Sequence, residues 1–273
     1  MGSRMRVCLL GTGGAANEAR HQAGVLVEWG VGASGGRILL DTGAGLDIVR
    51  LLMAAHCEPA EVRDIFVSHQ HMDHMGGLEP LLLWSIIRTL QSHGRPPGDE
   101  TRVHADSRVL AAITELFGAI ATAVPRLFRD KLRRVDAADG RPEELPGGAR
   151  LTTFLVDHEP SGAGAMGCLV ERDGTRLVYS GDTRPVKQLI EVARGADVLI
   201  HEAGGLDAAA GEVHRLGHST AGDAARAAAA AGVGRLILTH VPAEPLAEPM
   251  LAEARAAFDG PVELASDLRR IEV

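Results

Sequence analysis

Short apolar runs recur along the chain, and each stops at polar or glycine residues. Asp64-Ile65-Phe66-Val67 runs into Ser68, and Leu151-Thr152-Thr153-Phe154-Leu155-Val156 turns from alternating to apolar before Asp157-His158. Arg176-Leu177-Val178-Tyr179 ends at Ser180-Gly181-Asp182, and Arg235-Leu236-Ile237-Leu238-Thr239 ends at His240. Runs of this length and pattern predict strands. Helical stretches follow Gly76-Gly77 over Leu78 to Ile87 and fill Ala221 to Ala231, where Gly232 and Gly234 supply the stop. Ser92 to Thr101 and Ala137 to Ala149, dotted with proline and glycine, predict surface connections.

At 273 residues and 45% hydrophobic content the chain is able to bury a large core, and no stretch reads as a linker between domains. Aromatics make up only 3%, so that core must rely on Leu, Val, Ile and Ala. The net charge of −8 argues against a broad basic surface for long nucleic acid. Arg126, Arg129, Lys131, Arg133 and Arg134 form a local cationic cluster, read as a solvated helix end. Cys8, Cys57 and Cys168 are scattered and odd in number, which gives no disulfide framework. No apolar run reaches the roughly 18 residues that span a bilayer, and no leader pattern opens the chain, so a cytoplasmic enzyme is expected. Met1 to Arg4 read as an expression remnant ahead of Met5.

The chemistry concentrates in Ser68-His69-Gln70-His71-Met72-Asp73-His74, on the turn between the first strand and its helix. Side chains alternate along extended backbone, so His69 and His71 face one side. Asp73 and His74 fall in the turn and face a second point. Two ions roughly 3.5–4 Å apart are the expected occupants, as in two-metal hydrolytic sites. Imidazole and carboxylate suit zinc, with manganese or iron as alternatives. The competing reading is a polar turn rich in histidine. Further candidates stand where other strands end: His158, Asp182 behind a Gly181 that permits a tight turn, and His240. Taken singly, each reads equally well as an ordinary polar residue.

The pattern His-x-His-x-Asp-His resembles the signature of the metallo-β-lactamase superfamily, and the details resemble its ribonuclease Z branch. Leu9 to Gly14 resembles that branch's first strand and glycine loop. Ser180 to Pro185, Gly195 to Ala203, Gly217 to Thr220 and Leu238 to His240 resemble its later motifs, in order. The resemblance implies one α/β domain over residues 5–273, a four-layer αββα sandwich with two similar halves. It implies His69, His71 and His158 on one zinc, Asp73, His74 and His240 on the other, and Asp182 bridging. Zinc lowers the pKa of bound water toward about 7, which supplies a bridging hydroxide as nucleophile, with Asp73 orienting it or taking its proton. His218 and Glu202 match the histidine and glutamate that this branch pairs as proton donor, so His218 would protonate the departing oxygen. The competing reading gives His218 to the cap of the helix beginning near Thr220. His201 reads as a core or supporting residue, and His21, His56, His93, His104 and His214 as surface or structural. The glycines at 11–14 lack phosphate-cradle spacing and read as a turn that lets backbone approach the site edge.

The departures from that branch bear on the substrate. Only 23 residues separate His158 from Asp182, enough for a hairpin but not for the protruding arm that grips tRNA. Val241-Pro242-Ala243-Glu244-Pro245 lacks the Ser and Arg or Tyr groups usual after the last histidine. A tRNA 3′-processing role therefore ranks last. The 83 residues between His74 and His158 leave room for a helical insert, Leu78 to Leu90 and Ser107 to Phe117, expected to cap the site. Its apolar content favours a small or partly apolar substrate. The first function expected is a dinuclear zinc phosphodiesterase acting on a small or cyclic diester. The alternative is hydrolysis of a lactone, thioester, carboxylic ester or aryl sulfate. Lactonase relatives carry a Tyr soon after the bridging Asp, where Thr183-Arg184 stand here. A diiron redox version carries a Glu in the first packet, where Gln70 and Met72 stand. A metal-free relative conflicts with the complete ligand set. The expected partner is a small molecule, not long nucleic acid or a membrane, and homodimers are common in the resembled branch.

Overall fold

The computed structural model describes residues 5–32, 35–93, 100–120, 132–137, 140–158 and 164–273. Two seven-stranded sheets carry the fold. In the first, β1 (Arg6–Gly11), β2 (Gly24–Trp29), β3 (Gly36–Leu40), β4 (Asp64–Phe66), β5 (Thr101–Ala105) and β6 (Leu132–Asp136) lie side by side, with β14 (Arg269–Glu272) beyond β1. In the second, β7 (Pro142–Glu144), β8 (Arg150–Leu155), β9 (Met166–Arg172), β10 (Thr175–Tyr179), β11 (Val198–Glu202), β12 (Leu236–Thr239) and β13 (Val262–Leu264) follow in chain order. Each sheet runs antiparallel from one edge to β3 or β10, then parallel to the other edge. The two halves thus repeat one plan, as the resemblance implied.

Parallel neighbours need crossovers, and helices supply them. The first half uses α1 (Asp47–Ala54), α3 (Leu78–His93) and α4 (Ser107–Ile120), with the short α2 (Met72–Met75) just before α3. The second half uses α5 (Lys187–Val192), α6 (Ala210–Arg215), α7 (Ala221–Ala231) and α8 (Ala247–Ala257). Alternation along each strand divides its apolar side chains between two cores. Val7 and Leu9 point between the sheets with Phe66, Met166, Val170 and Tyr179, while Cys8 and Leu10 point outward beneath α1 and α3. Strands buried on both faces read as continuous apolar runs, which is why those runs were legible. On the far side the small faces of α7, Ala221, Ala224, Ala225 and Ala228, close over Val178, Leu199 and Leu236. The expected four-layer αββα sandwich is what these cores build.

Three expectations need correction. The helices over Leu78 to Leu90 and Ser107 to Phe117 do not cap the site: Leu78, Leu81, Leu82, Ile86, Val109, Ile113 and Phe117 belong to the outer core over the first sheet. Their apolar content serves the crossovers that cover parallel strands. Within Ala137 to Ala149, Pro142–Glu144 is a strand paired with β8 rather than plain connection. Pro opens it at a sheet edge, where its missing N–H costs nothing, and so short and acidic a segment carries no apolar alternation. Arg133 and Arg134 are exposed on β6 and not at a helix end; Arg126, Arg129 and Lys131 lie outside the described residues, as do residues 94–99 of the other expected connection. The three cysteines are free and buried. Among the described residues, no helix is long and apolar enough to cross a membrane.

Candidate metal centre

Strands β4, β8, β10 and β12 release their chains at one edge of the sandwich, and the predicted ligands sit at or just past those exits. Ser68 and His69 follow β4, and His71 keeps extended backbone before α2 begins at Met72. The His71 Nδ1 lies 3.1 Å from His69 Nε2 and 3.1 Å from His158 Nε2, the latter reached from the end of β8. The turn of α2 swings Asp73 and His74 to a second point. There Asp73 Oδ2 is 3.5 Å from His74 Nε2 and 3.4 Å from His240 Nε2, just past β12. Asp182, past β10, sends Oδ2 between the two groups, 3.2 Å from the Nε2 atoms of both His74 and His240 and 3.9 Å from that of His69. All seven predicted ligands therefore converge.

The donor chemistry fits metal. Two ligands of a tetrahedral zinc at 2.0–2.1 Å stand about 3.3 Å apart, close to the spacing of these ring nitrogens. His74 Nε2 is buried 3.2 Å from the Asp182 carboxylate, and a cation between them would meet both. For His158, His69 and His74 the ring nitrogens facing away are held from behind, as is usual for ligating histidines, while His240 Nδ1 is buried with no hydrogen-bond partner among the described residues. His158 Nδ1 lies 2.8 Å from the Gly217 carbonyl, His69 Nδ1 lies 2.9 Å from Ser68 Oγ, and His74 Nδ1 lies 2.8 Å from Asp41 Oδ2. Gly14, in the glycine turn, backs His240: a Cβ there would stand 3.0 Å from the ring's Cε1. The turn thus brings backbone to the site edge, as expected.

Sequence reasoning passed over Asp41. It is fully buried, and its Oδ1 accepts the Ser68 amide at 2.7 Å while its Oδ2 faces His74. The signal was available: Asp41-Thr42-Gly43 follows the apolar Ile38-Leu39-Leu40, the same acid-after-strand arrangement that singled out Asp182. Arg184 also does more than its motif indicated. Its Nε donates to the His214 carbonyl at 2.6 Å and its Nη1 to Asp157 Oδ1 at 3.0 Å and the His158 carbonyl at 3.3 Å, tying together the turns that carry His158 and His218.

Beside the ligands, His218 Nδ1 lies 3.1 Å from Glu202 Oε1 and 3.8 Å from Asp182 Oδ2. Glu202 closes β11, and its Oε1 also accepts the amides of Thr183 and Ser219, each at 3.0 Å. Burial opposes a charge on His218, but the Glu202 carboxylate, by charge and hydrogen bond, and Asp182 outweigh it and raise the pKa to about 9. Burial pushes Asp73 up, yet the His240 hydrogen bond and the charges of His74 and His240 bring it down to about 2. The helix cap of the competing reading falls to Thr220, whose side chain accepts the Asp223 amide in a capping box. Of the remaining histidines, His104 pairs with Asp64 at 2.9 Å, His214 with Asp223 at 2.6 Å and His21 with Asp47 at 3.2 Å, all away from the ligand cluster. His201 is buried in β11, and the His93 side chain lies outside the described residues.

Comparison with known proteins adds the following. A family model described as "Beta-lactamase superfamily domain" matches residues 36–241. A protein named ribonuclease Z from Haloferax volcanii is 31% identical over 319 aligned positions, covering 98% of this chain and 95% of that protein. Among solved structures, the metallo-β-lactamase fold protein YhfI from Bacillus subtilis superposes with a TM-score of 0.81 at 21% identity, covering 99% of this chain and all of that one. The short form of human tRNase Z gives a TM-score of 0.68 at 21% identity, covering 97% of this chain and 98% of that one. These two structural likenesses speak to the fold.

Proposed function

This chain belongs to the β-lactamase superfamily, and on that premise we propose that it is a dinuclear zinc phosphodiesterase acting on small or cyclic phosphodiesters. Its family and its ribonuclease-named relatives make it a metal-dependent hydrolase; the small diester is the finer step. His69, His71 and His158 are assigned to one ion, Asp73, His74 and His240 to the other, and Asp182 to both. When bound, two such ions supply Lewis acidity, acidifying the attacking water and offsetting charge that grows on the phosphoryl oxygens. Asp73, its carboxyl held down at about 2 beside His74 and His240, is assigned to orient that water or take its proton.

The observation that carries the diester reading is the His218 and Glu202 pair. An alkoxide leaving group needs a proton, and a histidine with a pKa near 9 is charged at neutral pH and able to give one. Glu202 Oε1 is held by two backbone amides, so it fixes the ring orientation of His218 without being free to swing away. Long RNA is disfavoured by the protein's shape at this point. Among the described residues, 166–179 of the span between His158 and Asp182 form the β9–β10 hairpin, whose turn is Asp173-Gly174, and the 23 residues of the whole span leave little length for an arm. A lactonase is disfavoured because Thr183, buried with its amide committed to Glu202, occupies the place after the bridging carboxylate.

The test is a panel of initial rates for zinc-loaded protein on bis(para-nitrophenyl) phosphate, a phosphomonoester, an aryl ester, a lactone and a precursor tRNA. The diester is expected to lead, and to lose its turnover in Asp182→Ala. Turnover of the ester or lactone with none of the diester would overturn the proposal, and cleavage confined to the tRNA would overturn the small-substrate part.

A further inference from the structure

Beneath the ligand cluster, among the hydrogen bonds that join the two sheets, is a side-chain bond that the proposed chemistry does not use. Tyr179 ends β10 of the second sheet, and its hydroxyl donates to Asp41 Oδ2 at 2.7 Å. Asp41 follows β3 of the first sheet. The same oxygen accepts the Ser68 hydroxyl at 2.8 Å and faces His74 Nδ1 at 2.8 Å. Both Tyr179 and Asp41 are buried away from water.

Proton accounting fixes what this arrangement does. A carboxylate only accepts, so His74 Nδ1 must be the protonated nitrogen, which leaves the Nε2 lone pair for metal. The Ser68 hydroxyl has one proton and gives it to Asp41. Its oxygen must therefore accept from His69 Nδ1, 2.9 Å away, which again leaves Nε2 for metal. One buried carboxylate thus sets the tautomers of two histidines, His74 directly and His69 through Ser68. Those histidines belong to different ligand groups. With Tyr179 as the donor from the opposite sheet, the carboxylate cannot turn without breaking a bond across the sandwich.

We infer that Tyr179 is a positioning residue for both metal positions: its hydroxyl pins Asp41, and through Asp41 it holds the ligating nitrogens of His69 and His74 in register. The inference rests on the reading that these two histidines hold metal. Supports behind metal ligands are worth roughly 10–100-fold in metal affinity.

The test is zinc affinity of the metal-free protein, by competition with a chromophoric chelator, in wild type, Tyr179→Phe and Ser68→Ala. Tyr179→Phe keeps the ring and its packing. It is expected to weaken both zinc ions by about 10–100-fold, while Ser68→Ala acts mainly on the ion held by His69. A Tyr179→Phe protein that melts earlier yet binds both ions with wild-type affinity overturns the inference and leaves the tyrosine as a tie between sheets. A second measurement needs no variant. Tyr179 is the only tyrosine in the chain, so carbon-13 at Cζ gives a single resonance. That resonance should move as each of two zinc equivalents is added, and a resonance that stays fixed through the titration overturns the inference. A wild-type protein that binds no zinc sinks the metal reading and the inference with it, whereas wild-type binding with an unaffected variant sinks the inference alone.

Discussion

His240 and Asp41 both take left-handed backbone, with φ of 58° and 57°, and both stand where a strand hands its chain to the site. For residues other than glycine such a conformation costs of order 1–3 kcal/mol, and it persists where surrounding structure demands it. Here the demand is the direction of a side chain. His218 is the residue whose removal separates binding from turnover. His218→Ala is expected to keep its metal content by elemental analysis while kcat for a diester with an alkoxide leaving group falls about 10²–10⁴-fold, the usual share of a general acid. The acid must be protonated to act, so kcat falls as pH rises through its pKa, about 9 before cations are added, and bound cations push that midpoint lower. A pH–rate profile should show this alkaline limb in wild type and not in His218→Ala; a full-rate variant with the limb intact would remove the role. His69, His71, Asp73 and His74 were legible because they crowd one turn, and His158, Asp182 and His240 because each stands at the end of an apolar run within a motif of the resemblance. Asp41 also follows an apolar run and was missed because it lies outside the motifs that carry the resemblance.

At the scale of elements, α7 shows how a helix end is fixed next to the site. Thr220 caps it, Asp223 answers in the capping box, and Asp223 also holds His214 and Arg226. Burial raises the Asp223 carboxyl, but hydrogen bonds from His214, Arg226 and Thr220 win and bring it to about 2. A depressed carboxylate contributes stability that is complete above its unfolded pKa and is lost as pH falls through the folded one. Wild type should therefore lose this contribution between about pH 4 and 2, and Asp223→Ala should show a flatter acid limb in urea melts. Thr220→Ala should cost about 1 kcal/mol, a fall in Tm of roughly 2–4 °C by calorimetry, and an unchanged Tm would contradict the cap's importance. Strands buried on both faces and the alanine-rich helix were readable because one physical cause, burial or propensity, governs each. The edge strand Pro142–Glu144 was not, since its only reason to be a strand is the neighbour β8, far simpler to see in space than along the chain. The helices Leu78–His93 and Ser107–Ile120 were read correctly as helices but given the wrong partner, because apolar periodicity does not say what covers the face.

Across the whole molecule, two halves of the same strand plan deliver strand ends to one edge, and the ligands come from both. Ions bound there tie β4, β8, β10 and β12 together, so metal is linked to folding. Zinc at 100 times its dissociation constant should add about 2.7 kcal/mol to the native state, raising Tm, and a chelator should reverse the rise. A Tm indifferent to both would contradict a site shared between the halves. The repeated plan was legible only through the resemblance, since hydrophobic pattern alone does not reveal which strands pair. The β9–β10 hairpin was legible directly, from the 23 residues between His158 and Asp182.

The most direct test of the account is the rate of bis(para-nitrophenyl) phosphate hydrolysis during titration of metal-free protein with zinc, beside Asp182→Ala prepared identically. The account predicts a rate that climbs to its plateau at two zinc equivalents in wild type and stays at background in the variant. A plateau reached without metal, or metal taken up to two equivalents with no diester turned over, would contradict it.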